Sequence, residues 1–273
     1  QNHYIVRAIF RIYLMNILVT NDDGVENPGI WALARAIKSL GNVTVVAPAN
    51  NQSGVGTGLS LRKSLRIENV PTKVTGVPCY SVGGTPADSV ILGIEHVLKR
   101  NVDIVVSGIN PGFNTSRNVF LSGTIGAAIQ AAGKGVTACA FSMELGGDLE
   151  DSIASKIIAT IAGELLRPET KKGSLFNVNL PSTISDYYSG SEAAFPERTG
   201  FVSKVETKSD GGFEIFSSLR IGIQDEQPTE GSDVEVLSRN KVSISCFDGM
   251  TMVHQSSDST LKRIVQLLNR ISG

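Results

Sequence analysis

The chain has 273 residues, 41% of them hydrophobic, which suits one large α/β domain with a sizeable core and excludes a disordered protein. Its 25 basic and 26 acidic residues leave a net charge of −1 and a pI near 6.4, excluding any global attraction to nucleic acid or an anionic membrane, so phosphate recognition has to be local. Cys79, Cys139 and Cys246 lack the spacing of a disulfide framework or a zinc site and read as buried thiols of a cytoplasmic protein; none has an arginine six positions on, which excludes a cysteine-phosphatase loop.

Residues 1–14 form a short apolar run broken by Arg7 and Arg11, too short to span a bilayer, and read as a non-native extension or a loosely packed arm ahead of Met15. Asn16 to Thr20 is a buried strand that stops at Asp22-Asp23-Gly24. Binding crevices of open α/β sheets lie at the carboxyl ends of their strands, so this acidic turn is the first place to look for chemistry. Asn27 caps a helix that begins at Pro28, repeats Ile30, Leu33, Ile37 and Leu40, and closes at Gly41. Val43 to Ala47 is the next strand, completing a βαβ unit with parallel strands.

A polar, glycine-rich loop from Pro48 carries Ser53 and can face the two aspartates. Gly54, Gly56 and Gly58 are not a dinucleotide fingerprint, because short strands, Leu65 to Val70 and Thr72 to Val77, follow in place of a helix. Thr85, Pro86 and Asp88 read as the capped start of a helix running to about Leu98, on which His96 is a packed or surface residue. Val102 to Ser107 is a strand, and Asn110 and Asn114 follow in a loop of small and amide residues suited to close approach of an anion or metal. Ser122, Gly123 and Thr124 open a tightly packed helix whose free N–H groups make a ready phosphate site. Val136 to Phe141 is a further strand, Asp148 to Leu166 a long helix, and Leu175 to Pro181 the last strand of the main sheet.

This alternation predicts an α/β fold: a Rossmann-like, mostly parallel sheet with helices on both faces over residues 15–181. Residues 182–273 are expected to add a β extension, with a hairpin of Phe201–Glu206 and Phe213–Leu219, a strand at Val242 to Cys246 and a terminal helix from Asp258 to Ile271, packing on the core or on a second subunit. Asp22, Asp23, Ser53 and Asn110 would bring two carboxylates, a hydroxyl and an amide to one sheet edge. All are oxygen donors, a set for a hard ion such as Mg²⁺ or Mn²⁺. One such ion would activate water and neutralise a phosphoryl group, while Ser122, Thr124 and the helix start hold its other oxygens. No serine elbow, Walker loop or H-E-x-x-H helix is present.

Several blocks in order, Ile17 to Gly24 with Pro28-Gly29-Ile30, Gln52-Ser53-Gly54, Gly84-Thr85-Pro86-Ala87-Asp88, Ser107 to Asn114, Ser122-Gly123-Thr124 and Asn177 to Pro181, resemble the SurE survival-protein family. The resemblance implies a metal-dependent nucleotidase acting on nucleoside 5′- and 3′-monophosphates, sometimes with short-chain polyphosphate activity, and a homodimer or homotetramer with exchanged carboxy-terminal elements. By position it makes Asp22, Asp23, Ser53 and Asn110 the metal ligands, and Asn114, Ser122, Gly123 and Thr124 the phosphate-side contacts, with Asn110 also on the substrate side. The sequence departs from the family pattern at Ser89, where many relatives carry cysteine, and in Ser182 to Arg198, which lacks an arginine- and glycine-rich block and leaves base preference and assembly open. Two rivals stand beside this reading: a non-catalytic nucleotide or metal sensor, and a phosphatase with an aspartyl nucleophile, although the Asp-Asp-Gly spacing differs from the Asp-x-Asp-Gly that chemistry favours.

Overall fold

The computed structural model describes residues 15–198, 201–219 and 227–271; the arm ahead of Met15 lies outside them. In chain order the first part comprises β1 (Met15–Thr20), α1 (Pro28–Ile37), β2 (Gly41–Pro48), β3 (Ile67–Asn69), β4 (Cys79–Val82), α2 (Pro86–Leu92), β5 (Ile104–Pro111), α3 (Gly123–Gly133), β6 (Thr137–Met143), α4 (Ser152–Leu165) and β7 (Ser174–Leu180). There follow α5 (Ile184–Tyr187), β8 (Ser191–Ala193), β9 (Phe201–Thr207), β10 (Phe213–Leu219), α6 (Asp233–Ser238), β11 (Val242–Asp248) and α7 (Ser259–Leu268).

Among the described residues the main sheet runs β3-β4-β2-β1-β5-β6-β7-β11-β8. The six strands from β4 to β7 in that order are parallel, while β3 pairs with β4, and β11 with β7, antiparallel. Successive side chains of a strand point to opposite faces. Ile17 and Val19 of β1 accordingly join one apolar layer, beneath α1, α4 and α7, and Leu18 joins the other, beneath α2 and α3. Both faces are covered, as a parallel sheet requires. Among the described residues no helix is long and apolar enough to cross a membrane.

Local chemistry explains most boundaries. Asn27 Oδ1 accepts from Gly29 N at 2.8 Å and Pro28 occupies the first turn of α1. Thr85 and Asp88 form a reciprocal capping box at α2, which then continues through a π-helical turn to Val97. The box also anchors the preceding loop, since Thr85 Oγ1 donates to Gly58 O at 2.7 Å and Asp88 Oδ1 accepts from Ser60 N at 3.1 Å.

Four expectations need correction. Gly41 begins β2 and does not close α1; a 3₁₀ turn over Lys38–Leu40 intervenes. Thr72 to Val77 is a turn, closed by a Val77 N to Val74 O bond. Helix α4 starts at Ser152, four residues later than expected, because Asp151 Oδ1 caps Ala154 N at 2.7 Å. Most importantly, β7 is not the last strand of the main sheet. β11 alternates apolar Val242, Ile244 and Cys246 with Ser243 and Ser245, pairs along β7, and carries β8 on its outer edge. The sheet thus crosses residue 181, and β9–β10 is the one separate hairpin among the described residues.

Candidate active site

Strands β2 and β4 lie on one side of β1, and β5, β6 and β7 on the other, so the chain reverses its winding direction between β1 and β5. The crevice at such a switch point is where open α/β sheets place ligands. Asp22 and Asp23 follow β1, and Asn110 lies at the end of β5. The acidic turn is held from within by the fully buried Asn21, whose Nδ2 donates to Gly24 O at 2.9 Å and whose Oδ1 accepts from Gly24 N at 3.2 Å. From outside, Gln52 N donates to Asp22 O at 2.7 Å, tying the glycine-rich loop to the turn, and Gly56 N donates to Leu121 O at 3.0 Å, tying it to the segment before α3. Ser53 is thereby strung between the two. Gly126 allows this closeness: any Cβ there would collide with the Gly56 carbonyl.

These loops enclose an open cleft of about 390 Å³ lined by Asp22, Ser53, Asn110, Asn114, Asn118 and Ser122, among others. Five of the sequence-selected residues therefore meet at one surface. Asn110 commits its Nδ2 to Gly112 O at 2.8 Å, which leaves Oδ1 as its acceptor. Asn114 is buried, its Nδ2 donating to Ser142 Oγ at 2.8 Å. Asp23 is half-buried next to Asp22, and its Oδ2 is buried with no hydrogen-bond partner.

Thr124 differs from expectation. Its fully buried hydroxyl donates to Asp22 Oδ1 at 2.5 Å instead of facing the cleft, and the N–H groups of Gly123 and Thr124 also favour the Asp22 carboxylate. Gly123 fits against Asp22 because it has no side chain: a Cβ would come within 2.7 Å of Asp22 Cβ. Ser122 Oγ caps α3 by accepting from Ile125 N at 3.2 Å, and of the three residues Ser122 alone lines the cleft. The start of α3 thus orients an aspartate. Thr124→Val, which keeps the volume and removes the donor, is expected to weaken Mn²⁺ binding and phosphate release about 10- to 100-fold, the usual range for groups that orient a metal ligand; calorimetric Mn²⁺ titration checks it, and unchanged affinity would count against the role.

Burial raises the Asp22 carboxyl above its ordinary range, against the opposing hydrogen bonds from Thr124 and the backbone. Burial and then the charge of Asp22 push Asp23 up to about 7. Two adjacent, partly desolvated carboxylates, one with an orphaned oxygen, fit a cation that would satisfy both. Among the described residues no three His, Cys, Asp or Glu side chains cluster as a metal cage. A cation here would therefore complete its shell with neutral oxygens and water, the habit of Mg²⁺ and of similar hard ions.

Sequence reasoning missed the supports of Asn114 and of the loop after it. Asn179 Oδ1 accepts from Asn114 N at 2.8 Å, while Asn179 Nδ2 (3.2 Å) and Asn177 Nδ2 (2.8 Å) donate to Asn114 O. The available signal was two amides inside an otherwise apolar strand, since buried polar groups require partners. Asp233 is another such support. It is fully buried and accepts from Ser116 N at 2.8 Å, Glu197 N at 2.9 Å and Val234 N at 2.9 Å, joining the carboxy-terminal region to the cleft loop. Burial pushes Asp233 up to about 6 despite those bonds, with Glu197 adding a smaller push.

The fold consequently retains a proton on Asp233 that the unfolded chain releases near its ordinary value of 3.8. The contribution of this group to stability falls as pH rises from about 4 to about 6 and is flat above. The stability gap between wild type and Asp233→Asn should change across that window by on the order of 2–3 kcal/mol. Urea unfolding at pH 4 and pH 6.5 measures it, and a pH-independent gap would refute it.

The family model described as Survival protein SurE matches residues 17–199. A curated relative from Methanopyrus kandleri, named 5′-nucleotidase SurE, is 39% identical over 85% of this chain and 90% of its own length. One of the same name from Geobacter metallireducens is 34% identical over 91% of this chain and 96% of its own. The crystal structure of the Sure protein from Aquifex aeolicus superposes with a TM-score of 0.70 at 28% identity, covering 94% of this chain and all of that one. With most of the chain aligned to these relatives, and its fold in common with a solved member, the chain belongs to the SurE survival-protein family.

Proposed function

We propose that the protein is a 5′-nucleotidase, a phosphohydrolase that removes phosphate from nucleoside 5′-monophosphates, with 3′-monophosphates and short polyphosphate as further substrates. One divalent ion, Mg²⁺ or Mn²⁺, is held by Asp22, Asp23, Ser53 and Asn110. The observation that carries the reading is the buried, unpartnered Asp23 Oδ2 next to Asp22, which itself lines a switch-point cleft together with Ser53, Asn110, Asn114 and Ser122. The names of the curated relatives supply the substrate class. When bound, the ion acts as a Lewis acid on the phosphoryl oxygens and lowers the pKa of water.

The chain's own groups do the rest. Asp22, fixed by Thr124, is a preset charge that needs no rearrangement during the reaction. Asp23 gives its otherwise unpartnered Oδ2 to the ion, and one of the two aspartates takes the proton of the attacking water through its other oxygen. Asn114 and Ser122 hold the phosphate oxygens from the side of α3, with the Gly123 backbone next to them. Thr124 belongs to this group only through Asp22. We also place the protein in the cytoplasm, in keeping with its three buried, free thiols, and assign residues 182–273 to contacts in a homodimer or homotetramer.

Purified protein should release phosphate from a panel of nucleoside monophosphates with Mn²⁺ or Mg²⁺ and lose that activity with a chelator. Activity indifferent to chelator would refute the mechanism. Tight nucleotide binding without turnover would favour a sensor, and a trapped phospho-aspartate would favour an aspartyl nucleophile.

A further inference from the structure

Phe113 is half-buried and lines two cavities at once. One is the cleft just described. The other holds about 230 Å³ and is walled by Thr115, Glu144, Val234, Leu237, Ser238 and Asn240 as well. Val234 and Leu237 come from α6, in the region beyond residue 181, and are buried. The volume is below the roughly 300–1,000 Å³ of pockets that take a whole small molecule. It suits a flat ring belonging to a ligand anchored elsewhere.

We propose that this cavity is the nucleobase subsite of the same enzyme and that it selects guanine. The proposal rests on the nucleotidase reading and deepens it. Phe113 offers an aromatic face on which a base can stack, and Val234 and Leu237 complete an apolar slot. Two polar groups give the slot a direction. Glu144 Oε2 accepts from Ser182 N at 2.9 Å and Ser182 Oγ at 2.6 Å, which fixes the side chain and leaves Oε1 for a ligand. A carboxylate only accepts, so its free Oε1 accepts from the N1–H edge of guanine and opposes the bare N1 of adenine. Thr115 Oγ1 is buried and has no hydrogen-bond partner, which makes it a donor in waiting for guanine O6. Because Asn114, on the phosphate side, lies between Phe113 and Thr115 in the chain, phosphate and base are read by consecutive residues of one loop.

The test compares kcat/KM for GMP, AMP and ribose 5-phosphate, with Mn²⁺, in the full chain. Wild type should favour GMP over AMP by at least about tenfold. Glu144→Gln replaces an acceptor with an amide that can pair with adenine, and should lower the GMP/AMP ratio at least about tenfold. Leu237→Trp fills the slot and should lower the ratio of GMP to ribose 5-phosphate by a similar factor. A misfolding effect lowers all substrates together; Glu144→Gln, isosteric and half-exposed, decides the matter where the tryptophan variant does not fold. Phosphate release with unchanged ratios overturns the subsite alone. No release from any of the three substrates by wild type overturns the hydrolase reading and the subsite with it.

Discussion

Asp23→Asn is expected to lower metal-dependent phosphate release by roughly 10²- to 10³-fold, the scale of removing one preorganised electrostatic group at the reacting centre. The same substitution is expected to leave the metal-free protein at least as stable as wild type. Both effects come from one feature. Asp23 stands beside Asp22 with Oδ2 buried and unpartnered, and burial together with the neighbouring charge pushes it up to about 7. A carboxyl raised in the fold above its unfolded value contributes less to stability as pH rises toward 7, so at pH 8 the ionised pair strains the metal-free fold. An asparagine keeps the shape and removes the repulsion. It also removes the charge and one of the oxygens that would hold the ion. Thermal melts in chelator at pH 8 should therefore show Asp23→Asn melting at or above wild type, while calorimetry shows weaker Mn²⁺ binding. Full activity of Asp23→Asn in the presence of chelator would remove Asp23 and the metal from the mechanism together.

That trade between stability and function is typical of an active site, where local rules of good packing are broken for chemistry. It also explains why this part of the candidate site was legible in the sequence. An apolar run that stops at two adjacent acids has no structural need for both, so the pair stood out before any contact was known. Asn27, Thr85 and Asp88 were legible for another reason: caps are formed within three residues, and the structure has them as the spacing implied. The hairpin around Asp210-Gly211-Gly212 is equally local, and its strands pair over Phe201–Thr207 and Phe213–Leu219.

What escaped was set by register between distant strands. Nothing near Thr124 says that its hydroxyl will meet a carboxylate 102 positions earlier. A hydroxyl at a helix start has two ordinary uses, capping and ligand binding, and Thr124 has a third. The same holds for β11, whose alternation of apolar residues with Ser243 and Ser245 marks a strand and leaves its partner unspecified. Its place beside β7 was decided by the open edge that β7 offers once β6 has taken the other. Asp233 reaches Ser116 across 117 positions, so the link from the carboxy-terminal region to the cleft loop is invisible to any reading of neighbouring residues.

Asn179→Ala tests the link from the site to the sheet. The Asn114 N–H donates to Asn179 Oδ1, and both groups are buried. Removing the amide leaves that donor without its acceptor, which costs about 1–3 kcal/mol, and opens a small cavity besides. At roughly 2–4 °C for each kcal/mol in a protein of 150–250 residues, a fall in Tm of several degrees is expected. The larger effect should be on turnover. Asn114 is fixed by its backbone at Asn177 and Asn179 and by its side chain at Ser142, and a displacement of about 1 Å at a substrate-positioning group can cost on the order of 100-fold. Asn177→Ala supplies the contrast. Asn177 gives one of two donors to Asn114 O, and its own Oδ1 is buried without a partner, so its removal takes away an unsatisfied atom along with one redundant bond. Phosphate release and melting temperature measured on both variants should therefore place Asn179→Ala well below Asn177→Ala in each. Equal effects would mean that the two amides merely fill space beneath the cleft. The expected inequality would show instead that the Asn114 N–H, held from β7, aligns the phosphate side of the site with the aspartates that follow β1.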